Sequence, residues 1–81
     1  MNEDNIIKSR RQIISKLTEA RLEKGMSQAE LANLIGTQRS NICRIESGSQ
    51  NLTLDMLIKI SAALGKDVNV FLEERSTPIN K

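Results

Sequence analysis

Four glycines divide this 81-residue chain into short runs, and the apolar residues ahead of each recur with helical period. They are Gly25, Gly36, Gly48 and Gly65. A glycine placed after a periodic run is a stop signal, because it adopts the left-handed backbone that ends helices at little steric cost. The chain therefore reads as short helices with tight connections. An all-α domain of four to five helices is expected over residues 1–75, with a flexible tail at 76–81.

The first run extends from about Asp4 to Lys24. Ile6, Ile7, Ile13, Ile14, Leu17 and Ala20 form one apolar stripe, and Asp4 can cap its start. Its first turns are expected to project beyond the core. The second run opens on Ser27-Gln28-Ala29-Glu30, a capping box, and closes at Gly36. Thr37 offers the next cap, and a third helix follows over 38–47. Thr53 then caps a fourth helix carrying Leu54, Leu57, Ile58, Ile60 and Leu64. Residues 68–72 are ambiguous. Val68, Val70 and Leu72 alternate with Asn69 and Phe71, which predicts a short strand. A short helix behind Asp67 would instead place Val68, Phe71 and Leu72 on one face. The strand is the expected form, and as a lone edge it needs a second copy of the chain to pair with.

Composition narrows what such a domain can do. With 38% hydrophobic and 27% charged residues the chain is ordinarily globular. Its one aromatic, Phe71, leaves a core of aliphatic side chains and no stacking surface of the kind single-strand and RNA readers use. The chain has no histidine and one cysteine, Cys43. Zinc sites, histidine acid–base chemistry and Cys–His dyads are thereby disfavoured, and no metal, cofactor or enzymatic role is expected. Met26 and Met56 read as core filler. No apolar run approaches the ~18 residues of a membrane span, and Met1-Asn-Glu-Asp is not a signal sequence, so the expected compartment is the cytoplasm.

Net charge is only +2, but its distribution is uneven. Residues 5–18 hold Lys8, Arg10, Arg11 and Lys16 with no acid, and from Gly36 to Leu54 the only charges are Arg39, Arg44 and Glu46. At about 100° per residue, Arg39, Ser40, Cys43, Arg44 and Ser47 fall within an arc of about 140° on the third helix, with Ile42 and Ile45 opposite. That outer face suits a DNA major groove, where arginine donates twice to guanine and small side chains permit close approach. Cys43 reads as a small residue able to touch a thymine methyl. A redox switch is the sharper alternative, and no resolving cysteine supports it.

Residues 21–65 resemble a known family. Ser-Gln-Ala-Glu-Leu-Ala at 27–32, Ile35-Gly36, Ile42, Arg44-Ile45-Glu46-Ser47-Gly48 and Ala63-Leu64-Gly65 are similar to the DNA-binding domains of phage repressors, Cro and Xre-type regulators. The resemblance implies a lambda-repressor-like fold with a helix-turn-helix unit at about 27–47. It implies that Gln38, Arg39, Ser40 and Arg44 reach base edges. It assigns Ser27, Gln28, Asn41, Ser49, Gln50 and Asn51 to phosphates, with Gln28 also bracing the recognition helix. Arg21 and Glu46 match a structural ion pair.

The expected function is sequence-specific regulation of transcription, as a repressor, by a homodimer on a near-palindromic duplex operator. Val68, Val70, Phe71 and Leu72 are the expected dimer surface. The Ala-Leu-Gly sequence leading into a Val-x-Val strand also resembles antitoxins of toxin–antitoxin pairs, whose partner is a toxin protein. Phage immunity repressors and restriction–modification controllers resemble the same core.

Overall fold

The structure, a computed structural model, describes residues 3–73. They form α1 (Glu3–Glu23), α2 (Gln28–Ile35), α3 (Arg39–Ser47), α4 (Leu54–Ala63) and α5 (Asn69–Leu72). The expected tail at 76–81 lies outside the described residues.

In α1, Ile14, Leu17, Ala20 and Arg21 are buried while Ile6 and Ile7 are exposed, so the N-terminal turns extend past the core as expected. Asp4 lies within the first turn instead of capping it; with Glu3 it still places negative charge at the positive helix end. The capping box of α2 is complete. Ser27 Oγ accepts from the Glu30 amide at 3.0 Å, and Glu30 Oε1 accepts from the Ser27 amide at 2.8 Å. Gly36 then takes φ +73°, which lets the Thr37 amide turn back to the Ala32 carbonyl at 2.9 Å. That reversal keeps α2 short and swings the chain directly into α3.

Thr37 is not the cap of α3. Gln38 holds that position without a side-chain hydrogen bond, and the Thr37 hydroxyl instead accepts from Asn41 Nδ2 at 3.0 Å. At the other end Gly48, φ +83°, allows the Ser49 amide to reach the Arg44 carbonyl at 3.0 Å. Thr53 caps α4 as expected, accepting from the Met56 amide at 3.1 Å. Of the five apolar residues that the fourth run carries, Leu57, Ile60 and Leu64 face the core, whereas Leu54 and Ile58 are exposed. Ser61 shares the inner face, its hydroxyl donating to the Leu57 carbonyl at 2.7 Å. A back-bonded hydroxyl satisfies itself within its own helix, so apolar periodicity does not reveal it.

The core joins Leu17, Ala20, Leu31, Ala32, Ile42, Leu57, Ile60, Leu64 and Phe71. Met26 and Met56 pack at its margin, in the filler role expected of them. α3 rests on α2 and α1, α2 on α4, and α5 on α1.

The predicted strand at 68–72 is instead part of the turn leading into α5 and of α5 itself. Asp67 Oδ1 accepts from the Asn69 amide at 2.8 Å, and one helical turn follows. Helical pitch puts Val68 and Phe71 on the same side, against the core, whereas a strand would split them between two faces. Phe71 is 1% exposed inside its own subunit and so is not part of a dimer surface. Val70 and Leu72 are exposed, at 44% and 51%. The strand on which the antitoxin resemblance rested is absent among the described residues.

Candidate nucleic-acid interface

Two isoleucines seat α3. Ile42 and Ile45 are each almost fully buried, and the other side of the helix, with Arg39, Ser40, Cys43, Arg44 and Ser47, is exposed. An aliphatic underside this narrow is enough to hold the helix because α2 and α1 both close on it. The free face carries two guanidinium groups and no carboxylate.

The remaining charge of α3, Glu46, is turned inward and neutralised. Its Oε2 accepts from Arg21 Nε at 2.8 Å, and its Oε1 accepts from Arg21 Nη2 at 2.9 Å and from Gln28 Nε2 at 3.0 Å. Arg21 Nη1 donates in addition to the Met26 carbonyl at 2.7 Å. One carboxylate thus ties α1, the start of α2 and the end of α3 together through a two-pronged guanidinium contact. Gln28 is half-buried and spends one amide hydrogen on this bridge, which leaves the second outside it.

A second network crosses the outer side. Arg44 Nε donates to Gln50 Oε1 at 2.9 Å, Gln50 Nε2 donates to Asn41 Oδ1, and Asn41 Nδ2 donates to Thr37 Oγ1. This ladder joins the turn before α3, the helix and the loop after it. Holding Arg44 by Nε leaves both Nη groups unused, pointing the guanidinium fork outward. Ser47 Oγ donates to the Arg44 carbonyl at 3.0 Å, and Ser49 Oγ lies within reach of both that carbonyl (3.3 Å) and Ser47 Oγ (3.1 Å), so its one hydrogen serves either, fastening the start of the loop. Sequence reasoning did not anticipate the ladder. The Thr37–Asn41 spacing of four was its one local sign, whereas the Gln50 rung depends on where the loop returns.

Of the residues expected at the interface, Asn41, Arg44 and Gln50 are joined by hydrogen bonds, and Ser49 meets the Arg44 carbonyl. Ser27 and Gln28 stand at the start of α2, and Gln38, Arg39, Ser40 and Asn41 at the start of α3. Arg44 lies further along α3, and Ser49, Gln50 and Asn51 continue into the loop. The expected dimer residues do not form one surface, since Val68 and Phe71 turn inward and Val70 and Leu72 outward.

The helix-turn-helix family profile matches residues 17–71 of this chain. The chain belongs to the Xre/Cro-type helix-turn-helix DNA-binding family. In this helix-turn-helix protein, α2 and α3 with the Gly36 turn are the motif itself. A Haemophilus influenzae protein described as an uncharacterized HTH-type transcriptional regulator is 38% identical over 71 residues, spanning 85% of this chain and 72% of the relative. Among solved structures, the clp gene regulator ClgR from C. glutamicum superposes with a TM-score of 0.74 at 25% identity, over 79% of this chain and 83% of that one. The N-terminal DNA-binding domain of SinR from Bacillus subtilis superposes with 0.72 at 34% identity, over 83% and 99%. SinR in complex with DNA gives 0.69 at 35% identity, over 75% and 98%. The helix-turn-helix protein is thus a DNA-binding transcriptional regulator. Among the described residues no helix is long and apolar enough to cross a membrane.

Proposed function

We propose that the protein represses transcription from the cytoplasm by docking α3 in the major groove of a specific duplex operator. The observation that carries this reading is the free face of α3, whose Arg44 is oriented by Gln50 while its only acid is sequestered against Arg21 and Gln28. A protruding helix with positioned guanidinium groups is what base-edge recognition requires. Gln38, Arg39, Ser40 and Arg44 read bases. Ser27, Gln28, Asn41, Ser49, Gln50 and Asn51 hold phosphates, helped by the free amides at the start of α2. The likeness to SinR, solved with DNA bound, supports the same mode of docking.

The acting form is a homodimer on a near-palindromic site, with recognition helices about one turn of DNA, ~34 Å, apart. Exposed Val70 and Leu72 supply the apolar part of its subunit contact. Selection of bound sequences from a random duplex pool tests both statements. Two inverted half-sites at one-turn spacing are the expected product. No enrichment over the starting pool would overturn sequence-specific binding, and a single unpaired half-site would overturn the dimer.

A further inference from the structure

The family profile begins at residue 17, so residues 3–16 of α1 lie upstream of the part it describes. They are nevertheless built into the edge of the interface. One groove is lined by Ile7, Arg10, Arg11, Ile14 and Ser15 of α1 together with Glu46, Ser47 and Gly48 at the end of α3, the Glu46 carboxylate being already held by Arg21. A neighbouring groove is lined by Arg10 and Ile13 together with Asn51, Leu52 and Thr53 of the loop. Arg10 borders both, and Arg11 borders the first.

The loop they flank has no charge. Ser49-Gln50-Asn51-Leu52-Thr53 offers amides and hydroxyls, which position a phosphate but displace no counterion from it. The cations beside it come from α1. Lys16 is committed to the Glu73 carbonyl and Arg21 to Glu46. Lys8, Arg10 and Arg11 have no ion-pair partner among the described residues, and no acid occurs between Asn5 and Thr18. Lys8 lies one helical turn before Arg11 on the same side of α1. Uncommitted cations next to a neutral polar loop divide the work of holding a phosphate: the loop sets position and α1 supplies charge.

We propose that Arg10 and Arg11 form a second phosphate-binding element, which grips the DNA backbone beside the α3–α4 loop from outside the helix-turn-helix core. The element rests on the DNA-binding reading above and adds sequence-independent affinity to it.

The test uses the full chain and an operator obtained by pool selection with the unaltered protein. Binding of wild type and of R10Q/R11Q is followed by fluorescence anisotropy from about 50 to 200 mM salt. Each lost phosphate contact flattens the slope of log K against log salt by about 0.9, so two contacts remove roughly 1.8 per subunit. Affinity should fall equally for operator and random duplex, base preferences should persist, and R10K/R11K should restore most of the slope. An unchanged slope in R10Q/R11Q overturns the inference while leaving the DNA-binding reading intact. Altered base preferences also overturn it, as does a fall in Tm large enough to account for the weaker binding. Failure of wild type to select any sequence overturns the DNA-binding reading itself.

Discussion

Replacing Glu46 by alanine removes the acceptor of three hydrogen bonds at 2.8, 2.9 and 3.0 Å. Arg21 then keeps only the Met26 carbonyl, at 2.7 Å. The two side chains are 9% and 11% exposed, so the abandoned guanidinium cannot recover full hydration without opening the α1–α3 contact. Deleting one partner of a buried pair costs about 3–5 kcal/mol. The pair sits at the edge of the core, which argues for the lower end, about 3 kcal/mol. A domain of this size has about 4–12 kcal/mol in total, so the variant loses a large fraction of its stability and about 12–24 °C of Tm. Urea unfolding followed by far-UV circular dichroism measures the loss. R21M/E46L should recover most of it, since neither side chain leaves a buried charge behind. A loss below about 1 kcal/mol for E46A, or a double variant no more stable than the single one, would refute the view that the pair locks α1 to α3.

Arg44→Ala and Arg39→Ala should each weaken operator binding by about 1–3 kcal/mol and relax selection at single base positions, as read by competition with altered operators. Uniform weakening across all sequences would mark them as phosphate ligands. Phe71→Ala should cost about 3–5 kcal/mol of folding stability because the ring is buried within its own subunit. V70D/L72D should leave thermal stability nearly unchanged while shifting the sedimentation equilibrium toward monomer. Gly48→Ala meets no atom within 4 Å, so its cost is the backbone strain of φ +83°, about 1–2 kcal/mol in urea unfolding.

Local rules acted wherever cause and effect lie within a few residues. The Ser27–Glu30 box, the Thr53 cap and the turns at Gly36 and Gly48 satisfy backbone groups of adjacent residues, so short motifs in the sequence were enough to locate them. Ile42 and Ile45 identified the inner face of α3 for the same reason: helical period alone assigns sides. At 68–72 that logic failed, because four residues fit either period. The core's need for Phe71 decided between them, with no strand partner available among the described residues. Ser61 and the Arg44–Gln50–Asn41–Thr37 ladder were hidden for a related reason, since one is satisfied within its own helix and the other spans a loop. Residue order alone thus determined where α2 and α4 start, where α2 and α3 stop and which side of α3 is free. Tertiary structure decided which polar groups meet, because burial and hydrogen bonding between distant segments depend on how the helices pack. That packing turns Glu46 inward to Arg21, orients Arg44 outward and brings Arg10 to the edge of the loop.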